Sequence, residues 1–288
     1  MISFSYRKIK LMLIVPMLLS LHCIHAQTPT YKVYAVKFAD SSYPFTIGDW
    51  ADGGSKTDKV EIDFMVWLIK GGNGKSILVD AGFLGDNEGA KEFKLTSYIR
   101  PDSALSKIGV KAEDVTDIIL SHPHWDHLDG ISLFPNAQLW MQKKDYEYFI
   151  GGAWQKEGQN GGFDKKTVRQ VVELNLNGKV TLVDGDDKQI LPGITVYTGS
   201  RHTFDSQYVL VNTGSNKVIF ASDNIWIYYN LEHPAPASPG GTFDAPGYLK
   251  AIERMKSMVT DPKFIIPGHD GALFKKFPAV SEGVAEIK

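Results

Sequence analysis

Apolar and polar positions along the chain follow two rhythms, and the shorter one dominates. Strict alternation marks Tyr31 to Phe38, Val180 to Val183 and Ile194 to Thr198 as half-buried strands. Glu61 to Lys70 carries an unbroken Val66-Trp67-Leu68-Ile69 run. Gly71-Gly72-Asn73-Gly74 turns the chain, and Ser76 to Asp80 returns it as a hairpin. Gln207 to Asn212 and Lys217 to Ser222 form a second hairpin around Thr213-Gly214-Ser215-Asn216. Shorter strands are predicted over Asp117 to Ser121, Gln138 to Met141 and Phe264 to Ile266. The longer rhythm places Leu249, Ile252, Met255 and Val259 at helical spacing, which predicts an amphipathic helix over Tyr248 to Thr260. A short helix is expected over Pro101 to Val110 with Leu105 and Ile108 inward, and another starts at Lys143. Ser41 to Lys59 and Gly151 to Phe163 read as loops. Strands dominate both halves and each half carries helices. The expected fold is therefore α/β, a single-domain four-layer αββα sandwich.

Composition changes this picture mainly at the start of the chain. Arg7, Lys8 and Lys10 precede an apolar run from Leu11 to Leu21, and Ala26 suits the position before a cleavage point. These features predict a signal peptide over residues 1–26, with residues 27–288 as the folded domain, exported to the periplasm or secreted. The run is too short for a stable membrane span, so no membrane association is expected once the leader is cleaved. Its loss takes away three basic and no acidic side chains and moves the formal charge from −2 to −5. A mildly acidic chain offers no basic face for nucleic acid. The single cysteine, Cys23, falls in the leader, so any metal must be held by histidine and carboxylate.

Candidate chemistry concentrates in Ser121-His122-Pro123-His124-Trp125-Asp126-His127-Leu128-Asp129-Gly130, directly after a predicted strand. His122 and His124 alternate and can face one metal, whereas Asp126 and His127 lie past a turn and can face a second. The competing reading is a polar strand-to-helix turn with Asp126 as a helix cap. Three histidines and an aspartate within six residues favour metal. Further ligand candidates each follow a predicted strand: His202, Asp223 and His269. Asp80 ends the returning strand of the first hairpin and could orient a ligating histidine; a plain turn residue is the alternative. Gly151 to Phe163 could close over a ligand or simply face solvent. Trp125, Trp154, Phe163 and Trp226 could line an apolar channel.

The ordered series Asp80-Ala81-Gly82, His122 to His127, His202, Asp223 and His269 spans the mature chain and resembles the metallo-β-lactamase superfamily. Within it, the chain is similar to the N-acyl homoserine lactonase branch, including exported members of the AidC type. The resemblance implies two divalent ions, zinc above all. His122, His124 and His202 would hold one, Asp126, His127 and His269 the other, and Asp223 would bridge them. It further implies opening of acyl homoserine lactone rings (quorum quenching) by a bridging hydroxide, with Asp126 carrying a proton to the leaving group. The alternatives within the fold are a glyoxalase-type thioesterase and a β-lactamase. Related lactonases place a tyrosine three residues after the bridging aspartate. Here that position is Trp226, which leaves Tyr228 as the candidate catalytic hydroxyl. The expected partner is a small lactone, and a homodimer is compatible with the sequence.

Overall fold

The computed structural model describes Met1 and residues 30–72 and 74–288. The rest of the predicted leader, and Asn73 of the first hairpin turn, lie outside the described residues. The larger sheet is built from β1 (Tyr31–Ser41), β2 (Asp63–Gly71), β3 (Ser76–Val79), β4 (Leu95–Tyr98), β5 (Val115–Ile119), β6 (Gln138–Gln142) and β7 (Val180–Val183). The smaller sheet holds β8 (Lys188–Leu191), β9 (Ile194–Thr198), β10 (Gln207–Asn212), β11 (Lys217–Ser222) and β12 (Ile265–Pro267). A C-terminal hairpin, β13 (Ala279–Ser281) and β14 (Val284–Glu286), closes the larger sheet beside β1. Its order is β13-β14-β1-β2-β3-β5-β6-β7, with β4 also on β1; the smaller sheet runs β12-β11-β10-β9-β8.

β2 shows why the sheets stack. Met65, Trp67 and Ile69 pack into the core between the sheets, while Phe64, Val66 and Leu68 pack on the opposite face. A strand covered on both faces reads as a continuous apolar run, which is the pattern its sequence carries. On the outer face of the larger sheet lie α2 (Pro101–Ser106), α4 (Lys143–Ile150) and α5 (Lys165–Leu176), through Leu105, Phe149 and Val171. The smaller sheet is covered by α7 (Ala245–Met258), through Tyr248, Ile252 and Met255. The expected αββα order is thus present in a single domain. Short helices complete it: α1 (Ile47–Trp50), α3 (Trp125–Leu128), α6 (Tyr228–Glu232) and α8 (Leu273–Lys276). No helix among the described residues is long and apolar enough to cross a membrane.

The structure departs from the sequence pattern at two places beside the strand ends. The segment expected to be a loop over Ser41 to Lys59 contains α1, which brings Trp50 inward. The aromatic stretch after Asp223 turns into α6.

Candidate metal centre

Direction decides where the site forms. β3 and β5 are parallel neighbours, as are β11 and β12, and two antiparallel steps make β9 run with β11. Asp80 follows β3, His122 follows β5, His202 follows β9, Asp223 follows β11 and His269 follows β12. All five emerge from carboxyl ends of strands, where clefts open in α/β sheets. His124 then occupies the N-cap position of α3, whose first turns carry Asp126 and His127. The end of this motif rests on the Asp80 turn: Ala81 N donates to His127 O at 2.7 Å, and Gly130 N to Gly82 O at 2.8 Å. A Cβ at Gly130 would lie 2.2 Å from Ala81 O, so only glycine permits this approach.

All seven predicted ligands meet in one cluster. His122, His124 and His202 form one group, Asp126, His127 and His269 a second, and Asp223 groups with His122 and His127. Within each group the ligand atoms lie within 4.8 Å of one another. Asp223 spans the cluster. Its Oδ2 lies 3.4 Å from His202 Nε2, and its Oδ1 lies 3.1 Å from His269 Nε2 and 3.4 Å from His127 Nε2. Asp126 Oδ2 lies 3.5 Å from His127 Nε2 and 3.6 Å from His269 Nε2.

Partners outside the cluster fix four imidazole tautomers. His127 Nδ1 donates to Asp80 Oδ2 at 2.8 Å, His202 Nδ1 to Gly241 O at 2.7 Å, and His269 Nδ1 to Asp63 O at 3.3 Å. Ser121 Oγ donates to Asp80 and so accepts from His122 Nδ1 at 2.9 Å. Each of these rings therefore turns its Nε2 inward. His124 Nδ1 sits 3.1 Å from His122 Nε2 and 2.9 Å from His202 Nε2. A proton on His124 Nδ1 can satisfy one of those two nitrogens but not both, which leaves a lone pair for a cation. His127 Nε2 and Asp223 Oδ1 are likewise buried without a hydrogen-bond partner. Burial, reinforced by the charge of His202, pushes His124 down to about 3, and burial also holds His122 well below its usual value. Against burial, the Asp126 and Asp223 carboxylates hold His127 well above its usual value and Asp223 raises His269, so an ion in that group would displace protons. Neutral imidazoles and ionised carboxylates are the ligand forms that zinc takes. The residues present fit a divalent metal centre.

Asp80 performs the orienting role considered for it. Its carboxylate also accepts from Ser121 N at 2.7 Å and Ser222 Oγ at 3.0 Å. Asp80, Arg201 and Ser222 each hold a left-handed backbone without being glycine, and each sits at or directly before a site residue. Sequence reasoning missed Asn224. Its Oδ1 accepts from Ser200 N, Ser200 Oγ and Ser206 Oγ, and its Nδ2 donates to Gln207 O and Ala221 O. It thereby ties the His202 loop to the Asp223 turn. Its adjacency to Asp223 was the only available signal.

A cavity of about 380 Å³ opens onto the cluster. Phe45, Trp50, Phe93, Trp125, Phe163 and Phe243 line it. Gln159, Gly161 and Gly162 line it too, so the end of the Gly151–Phe163 segment is part of the site, and Gly162 O accepts from Trp125 N at 2.8 Å. Trp154 is a correction: it lies outside this cavity, with its Nε1 donating to Phe149 O at 2.7 Å under Lys165. Tyr228 is a second correction. α6 begins at this residue and turns its ring into the apolar core beside Leu231, while Trp226 faces the cavity. Lys276 Nζ lies 4.4 Å over the Tyr228 ring, and the hydroxyl ends buried without a partner. Burial raises its pKa, and the residue is not among those that line the cavity.

An αββα sandwich with a His/Asp cluster at the strand ends defines a class of metal-dependent proteins. A model of the metallo-beta-lactamase superfamily matches residues 65–269, and the chain belongs to that superfamily. An N-acyl homoserine lactonase of Bacillus cereus is 28% identical over 179 residues, covering 62% of this chain and 64% of that protein. The match thus spans less than two thirds of that relative's length. A crystal structure of a mutant of AiiA from B. thuringiensis, with N-decanoyl-L-homoserine bound at its active site, superposes with a TM-score of 0.67 at 23% identity, covering 88% of this chain and 98% of that one. AidC, a dizinc quorum-quenching lactonase in complex with a product, N-hexanoyl-L-homoserine, gives 0.61 at 17% identity, covering 90% and 97%. At these identities the structural likeness speaks for the fold.

Proposed function

We propose that the protein is a dinuclear metal-dependent hydrolase that opens the lactone ring of N-acyl homoserine lactones, a quorum-quenching activity, and that it works outside the cytoplasm after loss of its leader. The supporting observation is the cavity lining. It is aromatic around the His/Asp cluster and, among the described residues, contains no lysine or arginine. Glutathione thioesters, phosphate esters and β-lactams carry anionic groups that call for a cationic anchor, whereas an acyl homoserine lactone is neutral and has an apolar tail.

His122, His124 and His202 would hold one ion, Asp126, His127 and His269 the other, with Asp223 between them; the donor set suits zinc. When bound, such ions supply Lewis acidity toward the ester carbonyl and make hydroxide available near neutral pH. The aromatic walls bind the acyl chain and exclude water from the ring carbonyl. Asp126, ionised at the cavity surface, takes the proton that the attacking water gives up and passes it to the departing alkoxide oxygen as the ring C–O bond breaks. The new carboxylic acid ionises, so one proton leaves per turnover.

A pH-indicator assay with short- and long-chain lactones tests this, run beside a β-lactam and a thioester. Proton release from the lactones alone is expected. Turnover of the β-lactam or thioester with inert lactones overturns the substrate assignment and leaves the metal centre standing. Amino-terminal sequencing of the exported protein, expected to begin near Gln27, tests the location; an intact Met1 in a membrane fraction contradicts it.

A further inference from the structure

Trp226 stands three residues after Asp223, and its contacts give it a defined task. Its Nε1–H donates to Asp223 Oδ2 at 2.9 Å. Its backbone is fixed at both ends: the amide donates to the Tyr248 hydroxyl at 3.3 Å, and the carbonyl accepts from His269 N at 3.0 Å. The ring stands edge-on to His202, centroids 5.5 Å apart, and edge-on to Trp50 at 5.2 Å. Gly241 passes directly beneath it: a Cβ there would lie 2.2 Å from the far end of the indole, and the carbonyl of that same glycine orients His202. One rigid side chain therefore touches the Asp223 carboxylate and the loop that sets a neighbouring imidazole.

The Asp223 carboxylate can otherwise roll about its Cβ–Cγ bond. With the indole N–H on Oδ2, that oxygen lies 3.4 Å from His202, 3.9 Å from His122 and 3.3 Å from His269, and Oδ1 is left facing His269 and His127 at 3.1 and 3.4 Å. We propose that Trp226 is a positioning residue that fixes the roll of the Asp223 carboxylate, holding Oδ2 on the His202 side and leaving Oδ1 to His127 and His269. This rests on the metal reading given above. A hydrogen bond from outside a ligand set restrains the ligand before the ion arrives, and its loss typically costs about 10–100-fold in metal affinity or activity.

The test is Trp226→Phe, which keeps an aromatic ring and removes the donor. Wild-type and variant protein are stripped, loaded with Co2+, and followed by the visible spectrum of the bound ion and by its loss to a competing chelator. The expected result is an altered Co2+ spectrum and retention weaker by about tenfold, with unchanged melting of the metal-free protein. An unaltered spectrum with wild-type retention overturns the proposal. If the wild type itself takes up no Co2+, the metal reading fails instead, and the two failures are distinct. Should Trp226→Phe not fold, 3-benzothienylalanine at position 226 keeps the ring's shape with sulfur in place of the N–H. The same spectral change and loss of retention are expected, and their absence again overturns the proposal.

Discussion

Asp80 carries four hydrogen bonds on one buried carboxylate: from Ser121 N, Ser121 Oγ, Ser222 Oγ and His127 Nδ1. Asp80→Ala leaves four buried donors without their acceptor and frees the His127 ring. Metal affinity should fall by about 10–100-fold, measured by chelator competition, together with a stability loss of several kcal/mol in denaturant titration. Asp145 predicts a pH dependence. It is buried and accepts from Thr203 Oγ1 at 2.6 Å and Asp205 N at 3.1 Å, close to His202, yet burial pushes its carboxyl up to about 7. The unfolded chain titrates this group near 3.8. The folded state thus holds its proton more tightly; that stabilisation is full below about 3.8 and is lost as pH rises through about 7. Asp145→Asn should make stability of the metal-free protein fall less steeply across that window, as read by denaturant midpoints at several pH values. At this scale the ligands were legible because histidines and aspartates stood just after apolar strands. The roles of Trp226 and Tyr228 were not, because they depend on where α6 begins. Asp145 and Asn224 act through contacts distant in sequence, which no local pattern records.

The elements were legible where burial and period agreed. β2 is covered on both faces, and the β10–β11 hairpin and α7 bury one clear set of residues each, so their patterns stood out. α5 was missed. Val168, Val171 and Val172 are β-branched, and the helix buries only a narrow stripe, Thr167 and Val171. A start signal was nevertheless present: the Asp164 side chain accepts from Lys166 N at 2.7 Å as an N-cap. Asp164→Ala should destabilise the protein by about 1 kcal/mol in urea unfolding. Turnover should change little, because α5 lies outside the ligand cluster and reaches the motif through Lys166 Nζ, 3.1 Å from Asp129 Oδ1. The C-terminal strands β13 and β14 were also overlooked; three residues apiece offer too few positions for any period to show.

Across the whole molecule, the architecture followed from the alternation of strands and helices, while the aromatic cavity did so only in part: Trp125, Phe163 and Trp226 line it as expected, but Phe45, Trp50, Phe93 and Phe243 join them from segments far apart in sequence. Folding and metal loading are thermodynamically linked. With free zinc at about 100 times its Kd, the loaded protein gains roughly 2.7 kcal/mol over the stripped one, a rise in Tm of roughly 5–10 °C. Calorimetry before and after chelation reads this directly, and equal melting of the two forms contradicts metal binding at this site. The ligand groups also have an uneven origin: His122, His124, Asp126 and His127 come from the larger sheet, and His202, Asp223 and His269 from the smaller. An ion at either position would be a rivet through the seam between the two layers. A chain with one layer formed could offer only an incomplete grip. Full occupancy would therefore report that the two layers are joined, with the metal as a lock across them.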